Sequence, residues 1–467
     1  MKFYGRFLLV VVIWGALAFG AVYPWAYWPL VIACTGMGLW GAQADAKDAG
    51  WQRWFAGSLA VVALGAIVQL IPLPRPLLLV LGPSTDKFLA EFSLSYAANP
   101  GSHALSIAPE RTQISLALFA GFAVFLLGLI PAVSHIRLET MVRRLVVFAV
   151  LMAVFGLFQK GVHSAGGDRL VYGFWRPIAG ITNPFGPFLN RNHFAGWMVM
   201  ALGLACGYAG GVLERSRPHR TGWTAWVRWA ATPECSEFTA WLVAVLAMAA
   251  SVVVSGSRSG IASFAVAMVV VAALVPRRPT HGPRRALAVA AAAVIAVVLW
   301  GGLDATLQRF AIAPRDLQGG RGAAWRDTAR IVGDFPIFGS GLNTYGTAML
   351  VYQTVDRQFM YRETHNDYLQ LLAEGGLLLS LPAVIAIGIF AREVRRRFAE
   401  DRDPPMTRWI RIGAVAGLAG IAAQSAMDFS LQMPGNAAFF TIVAAVAVHR
   451  PMRSRRALRT TPSGEQL

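Results

Sequence analysis

The ten residues from Tyr361 to Gln370 place a histidine, two carboxylates and an arginine just ahead of an apolar run: Arg362, Glu363, His365 and Asp367. The rest of the chain is largely apolar, and ionisable groups kept beside apolar segments are candidates for function. A histidine that stays neutral near neutral pH can accept a proton from a hydroxyl group. His365 is therefore the candidate catalytic base. The alternative is a surface histidine that forms hydrogen bonds only within its own loop.

Thr364 followed by Asp367 resembles a capping box, in which two side chains close the start of a helix. The pattern predicts a helix that begins at Thr364 and holds His365 in its first turn. The positive end of the helix dipole would disfavour an imidazolium there, while Glu363 and Asp367 would favour it. These opposing effects leave both protonation states of His365 open.

Arg258 and Arg321 stand beside glycines, in Ser255-Gly-Ser-Arg-Ser-Gly260 and in Gly319-Gly-Arg-Gly322. Glycine lets the backbone turn tightly and approach a ligand closely. A guanidinium group binds phosphate through several coplanar hydrogen bonds. Arg258 also lies where two apolar segments meet, and an unused charge is costly there. Both arginines are predicted to bind an anionic group, with a plain turn or contact with lipid headgroups as the alternatives.

The segment Asn190-Arg-Asn-His193 directly precedes an apolar run and follows a turn imposed by Asn183-Pro-Phe-Gly-Pro187. Asn190, Arg191 and His193 would then cap the start of a helix. The exposed N–H groups and the dipole at such a start attract anions. The pattern predicts further anion-binding side chains here, with ordinary helix capping as the alternative.

The composition indicates an all-α polytopic membrane protein. Of the 467 residues, 56% are hydrophobic and only 14% are charged, which is too apolar for a soluble globule of this size. A helix needs about 17 to 25 apolar residues to cross a hydrocarbon layer of ~30 Å. About twelve such runs occur, near 7–24, 26–42, 55–72, 113–131, 143–160, 194–213, 238–256, 260–276, 286–303, 372–391, 409–427 and 436–449.

The net charge of +18 is distributed as in a membrane protein. Nucleic-acid binding is disfavoured because no polar domain carries a basic patch. Most lysines and arginines lie in alternate loops, which the positive-inside rule assigns to the cytoplasm together with both termini. The predicted organisation is nine membrane helices in 1–303, an outward loop with short helices in 304–371, three more membrane helices in 372–449, and a basic cytoplasmic tail in 450–467.

Five short motifs, taken in order along the chain, resemble those of the O-antigen ligase and polymerase family. They are Asn190–Gly196, Ser255–Gly260, Gly320–Arg326, Phe338–Asn343 and Thr364–Gly376. The resemblance runs from about 180 to 445, and the long outward loop falls in the interval that the family expects.

This resemblance implies an inverting glycosyltransferase of the GT-C type in the bacterial inner membrane. It would move a glycan from an undecaprenyl-diphosphate carrier to an acceptor hydroxyl at the periplasmic face. Arg191, Arg258 and Arg321 would bind the donor diphosphate, and His365 would activate the acceptor. The other candidate substrate-binding residues are Asn190, His193, Arg326, Arg362 and Asp367. A glycosyl diphosphate is already activated, so no cofactor is expected.

The family resemblance favours lipid A-core as the acceptor. A second repeat-unit glycan, as in a polymerase, and a protein hydroxyl, as in a protein O-oligosaccharyltransferase, demand the same donor chemistry and remain alternatives. Many GT-C enzymes hold a divalent metal through carboxylates in the first outer loop, but Ala21–Trp25 contains none. Metal independence is therefore expected, with a weak metal alternative at Asp327, Glu363 and Asp367.

Two other protein classes compete with the enzyme. A secondary transporter would also suit twelve helices, but it would favour internal repeats around a site at the membrane midplane. No clear repeat is present, and the polar residues concentrate at the predicted outer face. A non-catalytic protein that binds the lipid carrier would need the arginines but not His365.

Overall fold

A computed structural model describes residues 3–44, 49–164, 170–176, 183–217, 222–275, 320–355, 357–358, 360–400 and 403–451. These residues form seventeen α-helices and no strand: α1 (Tyr4–Leu17), α2 (Pro24–Gly41), α3 (Ala49–Val68), α4 (Arg75–Leu81), α5 (Pro83–Phe92), α6 (Leu94–Ala98), α7 (Pro109–Val133), α8 (Leu138–Ser164), α9 (Arg191–Ser216), α10 (Trp223–Ala230), α11 (Pro233–Ser255), α12 (Arg258–Leu274), α13 (Gly320–Asp334), α14 (Tyr345–Tyr352), α15 (Asp367–Ala399), α16 (Pro405–Ser425) and α17 (Pro434–Ala447).

Six helices within the described residues are long and apolar enough to cross a membrane: α3, α7, α8, α9, α11 and α15. Three shorter apolar helices, α1, α12 and α17, coincide with further predicted spans. The predicted ninth span, 286–303, lies outside the described residues, as does nearly all of the tail 450–467. A multi-pass helical membrane protein is therefore supported, and the count of twelve spans remains a prediction.

Local sequence sets where the helices begin and end. Pro109 and Pro233 occupy the first helical position, where the missing proline N–H costs nothing. Gly256 ends α11 in the left-handed conformation with φ of +68°. Ser257 then caps α12, because its hydroxyl accepts the N–H of Gly260 at 3.1 Å. These two residues make the tight hairpin that the Ser255–Gly260 motif predicted.

The bundle is organised around α9, which is almost entirely buried. Glycines let α9 and α16 approach backbone to backbone. A Cβ added to Gly203 of α9 would collide with the carbonyl oxygen of Gly413 in α16, and the reverse substitution would collide with the carbonyl oxygen of Gly203. Close contact through small residues is the common way in which membrane helices associate.

The segments predicted to face outward meet at one end of the bundle, which we call the site end. Gln69, after α3, donates a hydrogen bond to the carbonyl oxygen of Glu374 at 2.8 Å. Thr112, in α7, donates to the carbonyl oxygen of Leu342 at 3.0 Å. The residues before α9 and those after α16 also lie here, as described below. The orientation of this end across a membrane remains a prediction.

The predicted outward loop 304–371 is described from residue 320 onward. Its described part contains the two short helices α13 and α14, and its outward placement remains a prediction. Residues in and beside these helices form a small hydrophobic core with the start of α15 and with the segment before α7. Its members are Ile107, Ile331, Phe335, Tyr345, Ala348, Met349 and Ala373. This core is separate from the large core of the bundle.

Candidate functional site

Asp428, in the turn after α16, lies at the centre of the site and is 0% exposed. Its Oδ2 accepts a hydrogen bond from Nδ2 of Asn192 at 2.5 Å and lies 3.4 Å from Nη2 of Arg321. Its Oδ1 accepts the backbone N–H of Phe429 at 2.9 Å. A buried carboxylate needs such donors to remain charged.

The surroundings keep Asp428 ionised. Burial alone would raise the pKa of this carboxyl group. The adjacent imidazole of His365 and the charges of His193 and Arg321 outweigh burial, so the pKa of Asp428 lies below its ordinary value. Asp428 is therefore a buried anion at neutral pH.

His365 lies against this anion. Its Nδ1 is 3.9 Å from Oδ2 of Asp428, and its side chain is 26% exposed. The imidazole ring meets Phe429 edge to face, with ring centroids 4.9 Å apart. A carboxylate beside one ring nitrogen can orient a histidine and stabilise its protonated form, leaving the other nitrogen for chemistry.

The backbone corrects the prediction for His365. Asn366, not Thr364, caps α15, because its Oδ1 accepts the N–H groups of both Tyr368 and Leu369. The helix begins at Asp367, so the prediction of a start at Thr364 with His365 in the first turn was wrong. His365 instead has φ of +55°. Such a conformation costs a residue other than glycine about 1 to 3 kcal/mol and persists only where the surrounding structure holds it.

Arg321 joins the same cluster from the first turn of α13. Its Nη1 donates to the carbonyl oxygen of Met427 at 2.9 Å, and its side chain is 30% exposed. The structure thus brings Arg321 and His365 onto one carboxylate, although 44 residues of sequence separate them.

The start of α9 differs from the expected anion-binding end. Asn190 is the cap, as predicted, and its Oδ1 accepts the N–H of Asn192 at 2.9 Å. The N–H groups of Arg191 and His193 donate to the carbonyl oxygens of Asn183 and Asn190. Because these N–H groups already have partners in the protein, an anion here would depend on the half-buried side chain of Arg191.

His193 lies behind Asp428. It is 6% exposed, and its Nε2 is 3.8 Å from Oδ1 of Asp428. Its imidazole ring also meets Phe429 edge to face, with ring centroids 4.7 Å apart. The two histidines therefore flank one carboxylate, His365 on the more exposed side and His193 on the buried side.

Arg258 is the first residue of α12 and is half-buried. A Cβ added to Gly260 would collide with Cβ of Ala195, so the starts of α12 and α9 are in contact. Arg258 and Arg191 are therefore brought to the site end, where Asp428 also lies. Arg326 and Arg362 are exposed side chains of α13 and of the segment before α15.

Carboxylates and amides continue the polar surface beside His365. Nε2 of Gln370 donates to Oε2 of Glu363 at 2.6 Å, and Nε2 of Gln432 donates to Oδ1 of Asp367 at 2.8 Å. Burial and the neighbouring Glu374 raise the pKa of Glu363 to about 8, against the lowering effect of the Gln370 hydrogen bond. Glu363 is thus largely protonated at neutral pH.

Sequence reasoning missed Asp428 and Asn192. Asp428 is the only charged residue between Arg411 and His449, in a short outward segment at the edge of an apolar helix. A charged side chain beside a membrane is energetically costly to keep, so a carboxylate in that position is a functional candidate. The sequence therefore did contain a signal for Asp428. Within the residues that the structure describes, no three histidine, cysteine or carboxylate side chains are grouped so that they could hold a metal ion.

Comparison with known proteins bears on this site. No curated protein matches the chain. Residues 243–384 match the family model described as O-Antigen ligase. The matched segment runs from α11 into α15 and contains Arg258, Arg321 and His365, and it supports a glycosyltransferase of the O-antigen ligase and polymerase type. The matched segment includes four of the five motifs that carried the resemblance, all except Asn190–Gly196, and over residues 243–384 the chain is similar to the O-antigen ligase family.

Proposed function

We propose that the protein transfers a glycan from an undecaprenyl-diphosphate carrier to a hydroxyl group of lipid A-core at the periplasmic face of the inner membrane. The family match supports the glycosyltransferase class. The observation that carries the proposal is the His365–Asp428 pair, with Nδ1 and Oδ2 3.9 Å apart, at the end of the bundle that also holds Arg191, Arg258 and Arg321.

The proposed reaction is a direct displacement. His365 takes the proton from the acceptor hydroxyl, and the Asp428 carboxylate stabilises the resulting imidazolium. The acceptor oxygen forms a bond with the anomeric carbon as the bond from that carbon to the diphosphate oxygen breaks. Undecaprenyl diphosphate leaves with its negative charge, which Arg191, Arg258 and Arg321 stabilise. Attack opposite the leaving group inverts the anomeric configuration.

Substitution of His365 tests the enzyme class. With purified protein, lipid-linked donor and lipid A-core, we expect H365A to lower the transfer rate by about 10²- to 10⁴-fold, because general-base catalysis contributes that much. Donor binding should persist. The matched control is H135A, whose half-buried histidine lies between α7 and α8. Transfer by H365A at the wild-type rate would leave only a protein that binds the lipid carrier.

The acceptor can be identified from the glycans that accumulate in cells lacking the protein. If the protein is a ligase, these cells should accumulate long glycan chains on the lipid carrier together with uncapped lipid A-core. Single repeat units on the carrier would instead indicate a polymerase. Unmodified protein acceptors, with capped lipid A-core, would indicate a protein O-oligosaccharyltransferase.

Metal independence is tested by chelation. Arginine side chains neutralise the leaving diphosphate in the proposed reaction, so that no divalent ion is required. We expect the transfer rate of the purified protein to stay within about twofold after EDTA treatment, because proton transfer to an imidazole and charge stabilisation by arginine side chains need no metal ion. A rate that is lost with EDTA and restored by Mg²⁺ or Mn²⁺ would contradict this.

A further inference from the structure

One face of α13 contacts both partners of the His365–Asp428 pair. Arg321 and Trp325 are four residues apart, so they lie one above the other on the same side of the helix. Arg321 donates to the carbonyl oxygen of Met427, beside Asp428, at 2.9 Å. Nε1 of Trp325 donates to the carbonyl oxygen of Thr364, beside His365, also at 2.9 Å.

The bond from Trp325 acts on the peptide that determines the conformation of His365. The carbonyl group of Thr364 and the N–H of His365 belong to one rigid plane. Rotation of this plane about the N–Cα bond of His365 sets its φ, which is +55°. A left-handed histidine persists only where its surroundings hold it. The indole N–H is one of the groups that hold this plane.

Thr364 is anchored on its other side as well. It is 0% exposed, its N–H donates to Oε1 of Gln370 at 3.0 Å, and its Oγ1 accepts the N–H of Asn366 at 2.9 Å. Those bonds fix the chain before and after His365. The Trp325 bond fixes the peptide plane itself, so its loss would leave this plane free to rotate.

We propose that Trp325 is a positioning residue for the base. Its indole N–H holds the Thr364–His365 peptide so that the imidazole meets Asp428, while Arg321, one turn away, holds the chain that carries the carboxylate. The inference rests on the proposed function, since it takes His365 as the base. It assigns to α13 the role of aligning the base with its carboxylate.

The test is W325F, which removes the N–H and keeps an aromatic ring. We expect kcat to fall by about ten- to a hundredfold, because small misplacements of a catalytic group have effects of this size. KM for donor and acceptor should change by less than about twofold, since Trp325 acts on the base and binds neither substrate. W325H retains a ring N–H and should recover part of the loss.

W14F is the matched control. The indole of Trp14 also donates to a main-chain carbonyl oxygen, that of Ala26, at 2.9 Å. We expect W14F to lose this bond and keep the wild-type kcat. Should W325F not fold, replacement of Trp325 by its benzothiophene analogue, which lacks the N–H but keeps the shape, carries the same expectation.

The outcomes separate this inference from the proposed function. Wild-type kcat in W325F, together with an inactive H365A, would overturn the role of Trp325 and leave the base in place. A raised KM with unchanged kcat would also overturn it, because Trp325 would then contribute to substrate binding. An active H365A would instead refute the proposed function itself.

Discussion

Asp428 can stabilise a protonated His365 only while its own carboxyl group is ionised. Neighbouring hydrogen-bond donors and positive charges keep the pKa of Asp428 low. D428N preserves the shape and removes the charge, so it should lower kcat by about 10²-fold or more with little change in donor KM. Steady-state transfer assays measure this. D334N is the control, since Asp334 ends α13 in the predicted outward loop and accepts a hydrogen bond from Tyr352. Equal kcat in D428N and wild type would contradict the assignment.

Glu363 makes the stability of the protein depend on pH. Its pKa rises from an ordinary 4.5 to about 8 on folding. The protonated carboxyl group is therefore favoured in the folded state, and the stability it provides is full below about pH 4.5 and lost as the pH rises to about 8. E363Q, which mimics the protonated form, should flatten this dependence. Melting temperatures in detergent between pH 4.5 and pH 9 measure it, and an unchanged pH profile would contradict the shift.

Residue types identified part of the site in advance. His365 and Arg321 were predicted because each interrupts an apolar chain with a group suited to proton transfer or phosphate binding, and the structure brings them together. The capping box at Thr364 and Asp367 misled, because Asn366 caps α15 two residues later, where its Oδ1 accepts the N–H groups of Tyr368 and Leu369. Asp428 was missed because its partners lie 236, 107 and 63 residues away in sequence.

At the scale of elements, a break within α15 joins the site to the bundle. Gly376 has φ of +56°, and the next two N–H groups donate to the carbonyl oxygens of Pro336 and Ile337. A Cβ at Gly376 would collide with the carbonyl oxygen of Ile337 and lie 2.6 Å from N of Gly339. Only glycine fits here without strain.

G376A is therefore expected to destabilise the protein. The free energy of unfolding should fall by about 1 to 3 kcal/mol, the usual cost of a strained left-handed residue. G388A lies in the same helix, where a Cβ would meet nothing within 4 Å, and it should be neutral or stabilising by up to about 1 kcal/mol. Thermal unfolding in detergent compares the two variants. Equal melting temperatures for G376A and G388A would contradict the requirement for glycine at position 376.

Apolar length predicted the helices themselves well. Each predicted span within the described residues overlaps a helix, since a run that crosses hydrocarbon must satisfy its own backbone. The short helices α4, α5 and α6 were not predicted, because the segment 73–112 contains no apolar run long enough to cross a membrane. Helix ends depended on single capping bonds, and these could not be deduced from residue types alone.

At the scale of the whole molecule, the charge distribution predicts that the site end faces the periplasm. Asn99, at the site end, and Thr224, in α10, are both exposed. In a variant whose Cys34, Cys206 and Cys235 are replaced, a membrane-impermeant maleimide added to cells with a permeabilised outer membrane should label N99C but not T224C. Labelling of T224C alone would reverse the orientation and exclude a periplasmic site.

The assembly of the site could not be deduced from the chain alone. Asn192, Arg321, His365 and Asp428 come from four separate segments, and their meeting depends on how the helices pack. The glycine contacts between α9 and α16 hold Asn192 and Asp428 together. Such contacts can be identified only once it is known which helices pack together.

The two hydrophobic cores meet at the His365–Asp428 pair. Asp428 is mounted on the large core through α9 and α16, whereas His365 belongs to the chain that leads from the small core around Ile331 and Tyr345. The gap of 3.9 Å between imidazole and carboxylate thus lies between elements that pack on different cores. Hydrogen bonds from Arg321 to the carbonyl oxygen of Met427 and from Gln432 to Asp367 connect the two sides, so the alignment of the pair depends on how the two cores are held against each other.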